Sequence, residues 1–136
     1  MEREILNKRE EKIMNLLWEQ NKALTIPEIE QCFSEENLSR ASVFKAVQSL
    51  MEQEYVCVAG LERTNKTYAR RFKAAITREE YAAILLERKG IKTSSLGNVI
   101  LAMLGNDRNE ELDKEKDERL ISDLENIIQK LRSQDK

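Results

Sequence analysis

Apolar residues recur at helical spacing early in the chain: Ile13, Leu16 and Leu17 form one face, with Trp18 at its flank. Asn7 and Glu10 stand where an N-cap and its N3 partner belong, so the pattern predicts a first helix ending near Asn21. In "LTIPEI" Thr25 takes the cap, Pro27 the first turn and Glu28 the N3 position, with Leu24 and Ile29 spaced as a hydrophobic staple. This second helix is short and predicted to stop near Phe33 or Ser34. A third helix opens behind Ser39, with Val43, Val47, Leu50 and Met51 at i, i+4, i+7 and i+8 as its inward stripe. Its other side holds Ala41, Ser42, Lys45, Gln48 and Ser49, with Glu52 farther along.

Periodicity then changes. "YVCVAG" and "KTYARRFK" read as two strands joined by "LERTN". Three helices followed by a β-hairpin is the order of a winged helix-turn-helix, which places such a domain at residues 1–75. That order gives the third helix a physical role. A helix entering the major groove needs small or hydrogen-bonding residues on its exposed N-terminal turns, while a hairpin beside it supplies phosphate contacts. Ser39, Ser42, Lys45, Gln48 and Ser49 are the expected groove-facing residues, and Arg40, Arg63, Lys66 and Arg70 the expected phosphate partners.

Residues 76–136 form a second block of helices. Ile76, Thr77, Glu80 and Tyr81 repeat the staple and capping box, opening a helix through Leu86 toward Gly90. Thr93 to Ser95 start an uncharged helix carrying Leu96, Val99, Ile100, Met103 and Leu104, and a polar segment from Asn106 to Lys116 precedes the last one. There Leu120, Leu124, Ile127 and Leu131 alternate spacings of four and three, widened by Ile121 and Ile128. So broad an apolar face calls for a partner, and a homodimer is the expected one. Tyr81, Leu85, Leu96, Ile100, Leu120, Leu124, Ile127, Ile128 and Leu131 are the predicted seam. The expected architecture is therefore mostly α: a winged helix-turn-helix of three helices plus a hairpin wing, then a C-terminal helical dimerisation region.

Composition sharpens this picture in three places. Net charge is −2, yet residues 37–75 carry seven basic side chains against three acidic ones, a local +4 where DNA contacts are expected. Two cysteines, Cys32 and Cys57, without any histidine, make neither a disulfide framework nor a usual zinc site, and both are expected as buried apolar residues. The charged N-terminus "MEREILNKREEK" is no secretory signal and no run reaches the length of a membrane span, so a cytoplasmic protein is expected.

The segments "LNKREEKIMNLLWEQNKALTIPEIEQCF", "LSRASVFKAVQSLMEQEYV" and "NKTYARRFKAAITREEYAAILL", with the leucine-rich C-terminal helix, resemble the penicillinase repressor family, which includes the methicillin-resistance and copper-responsive repressors. The resemblance spans almost the whole chain and is most specific in "IMNLLW", "LTIPEI" and "ITREEY". It implies a dimeric repressor on a palindromic operator, with β-lactam-response or related genes as candidate targets and a sensor peptidase as a candidate partner. Several departures stand out. Where the family ends its recognition helix with two basic residues and a glycine, this chain has Glu52, Gln53 and Glu54. Ser49 and Arg40 replace a common arginine and a frequent proline. No cysteine follows Cys57, so the copper-responsive metal motif is missing, and no Asn-Phe bond of the kind cut in the β-lactam branch follows the wing. Asn98-Val99 is the loose counterpart.

Two other classes compete with a repressor. Catalysis would need a nucleophile with its base, a metal set or a phosphate-cradling glycine loop, and the chain has no histidine, no GxGxxG and no P-loop signature; neither an enzyme nor a cofactor is expected. A winged-helix adaptor for protein contacts without sequence-specific DNA binding is the alternative that the acidic end of the third helix supports.

Overall fold

The computed structural model describes residues 3–63, 67–106 and 114–134. α1 (Lys8–Gln20) starts at Asn7, whose side chain accepts from the Glu10 N–H at 2.8 Å, while a Glu10 oxygen accepts from the Asn7 N–H at 3.0 Å. Each bond satisfies a donor that the first turn leaves without an intrahelical acceptor. The helix ends at Asn21, which takes the left-handed conformation at φ 51°. α2 (Ile26–Cys32) repeats the box with Thr25 and Glu28 and carries Pro27 in its first turn, where a missing N–H costs nothing. α3 (Arg40–Glu52) is capped by Ser39, which accepts from the Ser42 N–H at 3.1 Å.

The inward faces of these three helices make one core. Ile13, Met14 and Leu17 of α1 pack with Ile29 of α2 and with Val43, Val47 and Leu50 of α3. Burying a side chain of that size contributes about 1.5 to 3 kcal/mol, so this stripe, not helix propensity, holds the short helices in place. After α3 the chain turns on Glu54, at φ 64°, in the position where the family resemblance expects glycine. Tyr55 follows, fully buried, and leads into the wing.

β1 (Val56–Arg63) and β2 (Tyr68–Ala74) pair antiparallel, Val56 opposite Ala74 and Arg63 opposite Tyr68. The register shifts between Val58 and Gly60, so Ala59 is the extra residue of a bulge, a feature that bends and twists a hairpin. Leu24 exchanges two backbone hydrogen bonds with Phe72, at 2.9 and 2.8 Å, and ties the hairpin root to the segment before α2.

α4 (Arg78–Arg88) opens with the Thr77 and Glu80 box, as expected, but its apolar face turns inward. The Tyr81 ring packs 5.8 Å from Tyr55 and 6.0 Å from Trp18, centroid to centroid, and its hydroxyl accepts from the Leu6 N–H at 3.1 Å. Residues 3–6 form a strap held at several points: Tyr55 Oη donates to Glu4 O at 2.6 Å, and Arg88 donates to Arg3 O at 2.7 Å. The first compact unit therefore runs to Lys92, beyond the expected boundary at 75/76. Thr93–Lys136 is a second unit, with a 3-10 turn at Thr93–Ser95, α5 (Leu96–Asn106) and α6 (Lys114–Gln134). Most of the polar segment between α5 and α6 lies outside the described residues. Among those residues no helix is long and apolar enough to cross a membrane.

The cysteine expectation needs correction. Cys32 is exposed and Cys57 half-buried. In the seven-residue α2, Ile29 fills the inward position and Phe33 packs back on the core, leaving Cys32 at the solvent end. On β1 the strand alternation that buries Val56 turns Cys57 the other way.

Candidate nucleic-acid interface

With Val43, Ala46, Val47 and Leu50 committed to the core, α3 turns Arg40, Ala41, Lys45, Gln48 and Glu52 to solvent. Their spacing is that of one helical face, so a single surface carries them. Lys45 has no ion-pair partner among the described residues. Arg40, although exposed, is bound to Glu30 of α2 at 3.0 Å, an exposed pair of the kind that stabilises little but orients the guanidinium. Ser39 and Ser42 lie at the start of α3 with their hydroxyls 3.0 Å apart. Ser39 is thereby employed as the cap, with one hydrogen bond to a backbone N–H and one to a side chain.

Ser49 is not on this face. Its hydroxyl donates at 2.8 Å to Glu10 Oε2, and Gln53 donates to the Ser49 oxygen at 3.3 Å. Ser49 sits on the flank of α3 that turns toward α1, so it braces the helix instead of presenting it. Glu10 itself is buried, and its two oxygens serve the cap of α1 and the flank of α3.

Among the described residues, the wing brings Arg70 to α3. Arg70 of β2 stacks its guanidinium 5.5 Å from the Phe72 ring centre and lines an open groove with Ile26, Phe44, Gln48 and Met51. Arg63 is exposed at the last paired position of β1, opposite Tyr68, and Lys66 lies outside the described residues. Arg71 serves the fold: it donates to Ala23 O at 2.9 Å and pairs with Glu28 at 3.1 Å and Glu62 at 2.7 Å. The Glu28 carboxyl is held below the usual carboxylate range, first by the Thr25 N–H that donates to it, with the Thr25 hydroxyl, Arg71 and Lys22 adding to the effect against partial desolvation. Of the seven basic residues in 37–75, then, Arg71 is engaged within the fold, while Arg40 keeps an exposed pair that a phosphate can replace.

One exposed residue was not anticipated. Phe44 is 46% exposed, beside Lys45 and one turn before Gln48. The signal lay in the sequence, since Phe44 falls outside the Val43, Val47, Leu50 stripe, but an aromatic residue in an amphipathic helix reads first as core.

The predicted seam residues divide. Tyr81 is buried inside its own unit and Leu85 packs on the same core, so neither is presented to a second chain; α4 spends its apolar face at home. In the second unit Leu96, Ile127, Ile128 and Leu131 are exposed, and Ile100, Leu120 and Leu124 are half-buried.

The model of the penicillinase repressor family matches residues 6–130. The chain belongs to the penicillinase repressor family. It is accordingly a DNA-binding transcriptional repressor and not an enzyme. No curated protein sequence matches it. Among solved structures, it is similar to ZitR of Lactococcus lactis. A cysteine-to-serine ZitR variant aligns at 22% identity over 96% of this chain and 78% of that one, with a TM-score of 0.42. Wild-type ZitR in complex with DNA aligns at 22% identity over 93% and 75%, with a TM-score of 0.39.

Proposed function

We propose that this repressor binds a palindromic operator as a homodimer, with α3 of each chain in the major groove and the C-terminal helices joining the two. The observation that carries the reading is the outward face of α3, where Lys45 and Gln48 are exposed side by side while the helix's other face is locked in the core. Lysine suits a guanine edge and glutamine an adenine edge. Ser42 lies at the start of the same helix, and Arg40, Arg63, Lys66 and Arg70 neutralise phosphates, which fixes the register of the protein on the duplex. Ser39 acts as the cap that sets where the helix begins.

Support for the dimer comes from the second unit. Leu101, Met103 and Leu131 are each at least 60% exposed, and Leu104, Ile121, Ile127 and Ile128 are also open. So many exposed large apolar residues on two helices favour burial against a second chain. Two chains then hold two half-sites, and the second binding event becomes nearly intramolecular. The controlled genes belong, on this reading, to the β-lactam-response class or a related one, with a sensor peptidase as the partner that ends repression; induction of the adjoining genes by a β-lactam tests that part.

The experiment compares the intact chain with one ending at Lys92, which keeps the whole first unit. Both are titrated against a duplex enriched from a random pool on the intact chain. The shorter chain is expected to keep half-site binding and to lose about 10² to 10⁴ in affinity for the full duplex. Equal affinity would show that dimerisation through the second unit plays no part. Failure of the intact chain to enrich any sequence would favour the adaptor reading.

A further inference from the structure

We propose that Phe44 contacts the C5-methyl group of a thymine in the major groove and so sets one sequence preference of the operator. The inference rests on the reading above, that α3 is the groove-facing helix.

A single exposed phenylalanine on an ordinary surface needs no explanation. This one lies on the helix that a DNA-binding repressor presents to its duplex, next to Lys45 and one turn before Gln48. The ring is 46% exposed, and it lines one groove with Ile26, Gln48, Met51, Glu52 and Arg70. A second hollow, lined by Ile26, Arg40, Ala41, Ser42, Phe44, Lys45 and Gln48, also opens against the ring. Phe44 thus borders two open hollows, with nearly half of its surface free for contact.

Chemistry then selects the occupant. The ring has neither donor nor acceptor, so it gains nothing from the polar edges of adenine, guanine or cytosine. Thymine alone among the four standard bases displays an apolar group in the major groove. Burying the ring against a polar edge would cost the base its water without return. Position narrows the choice further: Gln48 is one turn farther along α3, about 6 Å by helical rise, which is close to two base-pair steps of about 3.4 Å. The thymine therefore lies within about two base pairs of the base that Gln48 contacts.

The test removes one methyl at a time. The full-length chain is used to enrich a duplex from a random pool, and each thymine of the winning sequence is replaced in turn by deoxyuridine, which keeps every hydrogen bond. One thymine in each half-site is expected to lose about four-fold in affinity, the worth of one buried methyl. In Phe44→Ala the same replacement is expected to be neutral, and in Phe44→Leu to keep part of the effect. Placing 5-methylcytosine or plain cytosine at that site separates the methyl from the base that bears it: a preference for the methylated form that vanishes in Phe44→Ala supports the assignment. Phe44→Ala removes a half-exposed side chain, and its thermal melt confirms that α3 is intact. The proposal is overturned if no uracil replacement matters to the intact protein, or if the loss is as large in Phe44→Ala. Enrichment of no sequence at all would overturn the groove-facing role of α3 first, a result distinct from enrichment followed by indifference to uracil.

Discussion

Ser49 of α3 donates a 2.8 Å hydrogen bond to Glu10 of α1, a carboxylate only 6% exposed whose second oxygen caps its own helix. The start of α1 and the flank of α3 are therefore locked through one buried side chain. A small polar residue that looks suited to reading DNA is instead a strut between α1 and α3.

Ser49→Ala is expected to lower stability by about 1.5 to 3 kcal/mol, the range for a hydrogen bond to a charged group. Urea unfolding measures it. A cycle with Glu10→Gln should show strong non-additivity, because both changes act on one bond. A loss confined to operator affinity, with stability unchanged, would return Ser49 to the reading face.

Lys45→Ala is expected to weaken operator binding by about 1 to 3 kcal/mol and to relax the sequence preference at one position. Arg63→Ala should weaken all duplexes alike and reduce the slope of log affinity against log salt by about one. Fluorescence anisotropy at several salt concentrations separates the two behaviours. Identical operator affinity in Lys45→Ala would move the groove-facing surface elsewhere.

Leu124→Asp combined with Ile128→Asp is expected to give a monomer, since a carboxylate in an apolar seam must be desolvated without a partner. Sedimentation velocity at low micromolar concentration reads the outcome directly. A persistent dimer would shift the seam to α5, where Leu101 and Met103 are the most exposed apolar residues.

Alkaline pH should weaken the first unit. Burial pushes the Tyr55 and Tyr81 hydroxyls above the ordinary tyrosine range. In the unfolded chain these phenols ionise near pH 10, so the stability they contribute is full below that pH and is lost as pH rises through the folded values. Unfolding free energy measured from pH 8 to 11 should fall steeply above about 10, and less steeply in Tyr55→Phe. A flat profile through that window would mean that neither hydroxyl is coupled to folding.

Local signals in the sequence carried most of the architecture. Asn7 with Glu10, Thr25 with Glu28 and Thr77 with Glu80 are pairs three residues apart, and each box forms where the spacing places it. What the spacing could not show was direction in three dimensions. Tyr81, Ile84 and Leu85 make an apolar face that fits either a partner chain or the chain's own core, and the choice is made by Trp18 and Tyr55, far away in sequence. Ser49 likewise reads as outward until Glu10, 39 residues earlier, is placed beside it. Cys32 failed for a different reason: a helix of seven residues has too few turns to bury every apolar position.

The strap at residues 3–6 also bears on how the protein is made. Leu6 waits for Tyr81, 75 residues later, and Arg3 for Arg88, 85 residues later. At translation rates of about 5 to 20 residues per second, the first of these contacts is delayed by roughly 4 to 15 s after Leu6 is added. Until Tyr81 arrives, the faces of Trp18 and, once it is added, of Tyr55 that Tyr81 will cover stay open to water or to a chaperone. Nascent chains stalled before and after Tyr81 clears the ribosome tunnel should differ sharply in protease resistance, and similar resistance in both would show that the strap closes without α4. A message truncated within α4 would thus yield a sticky fragment and not a smaller repressor.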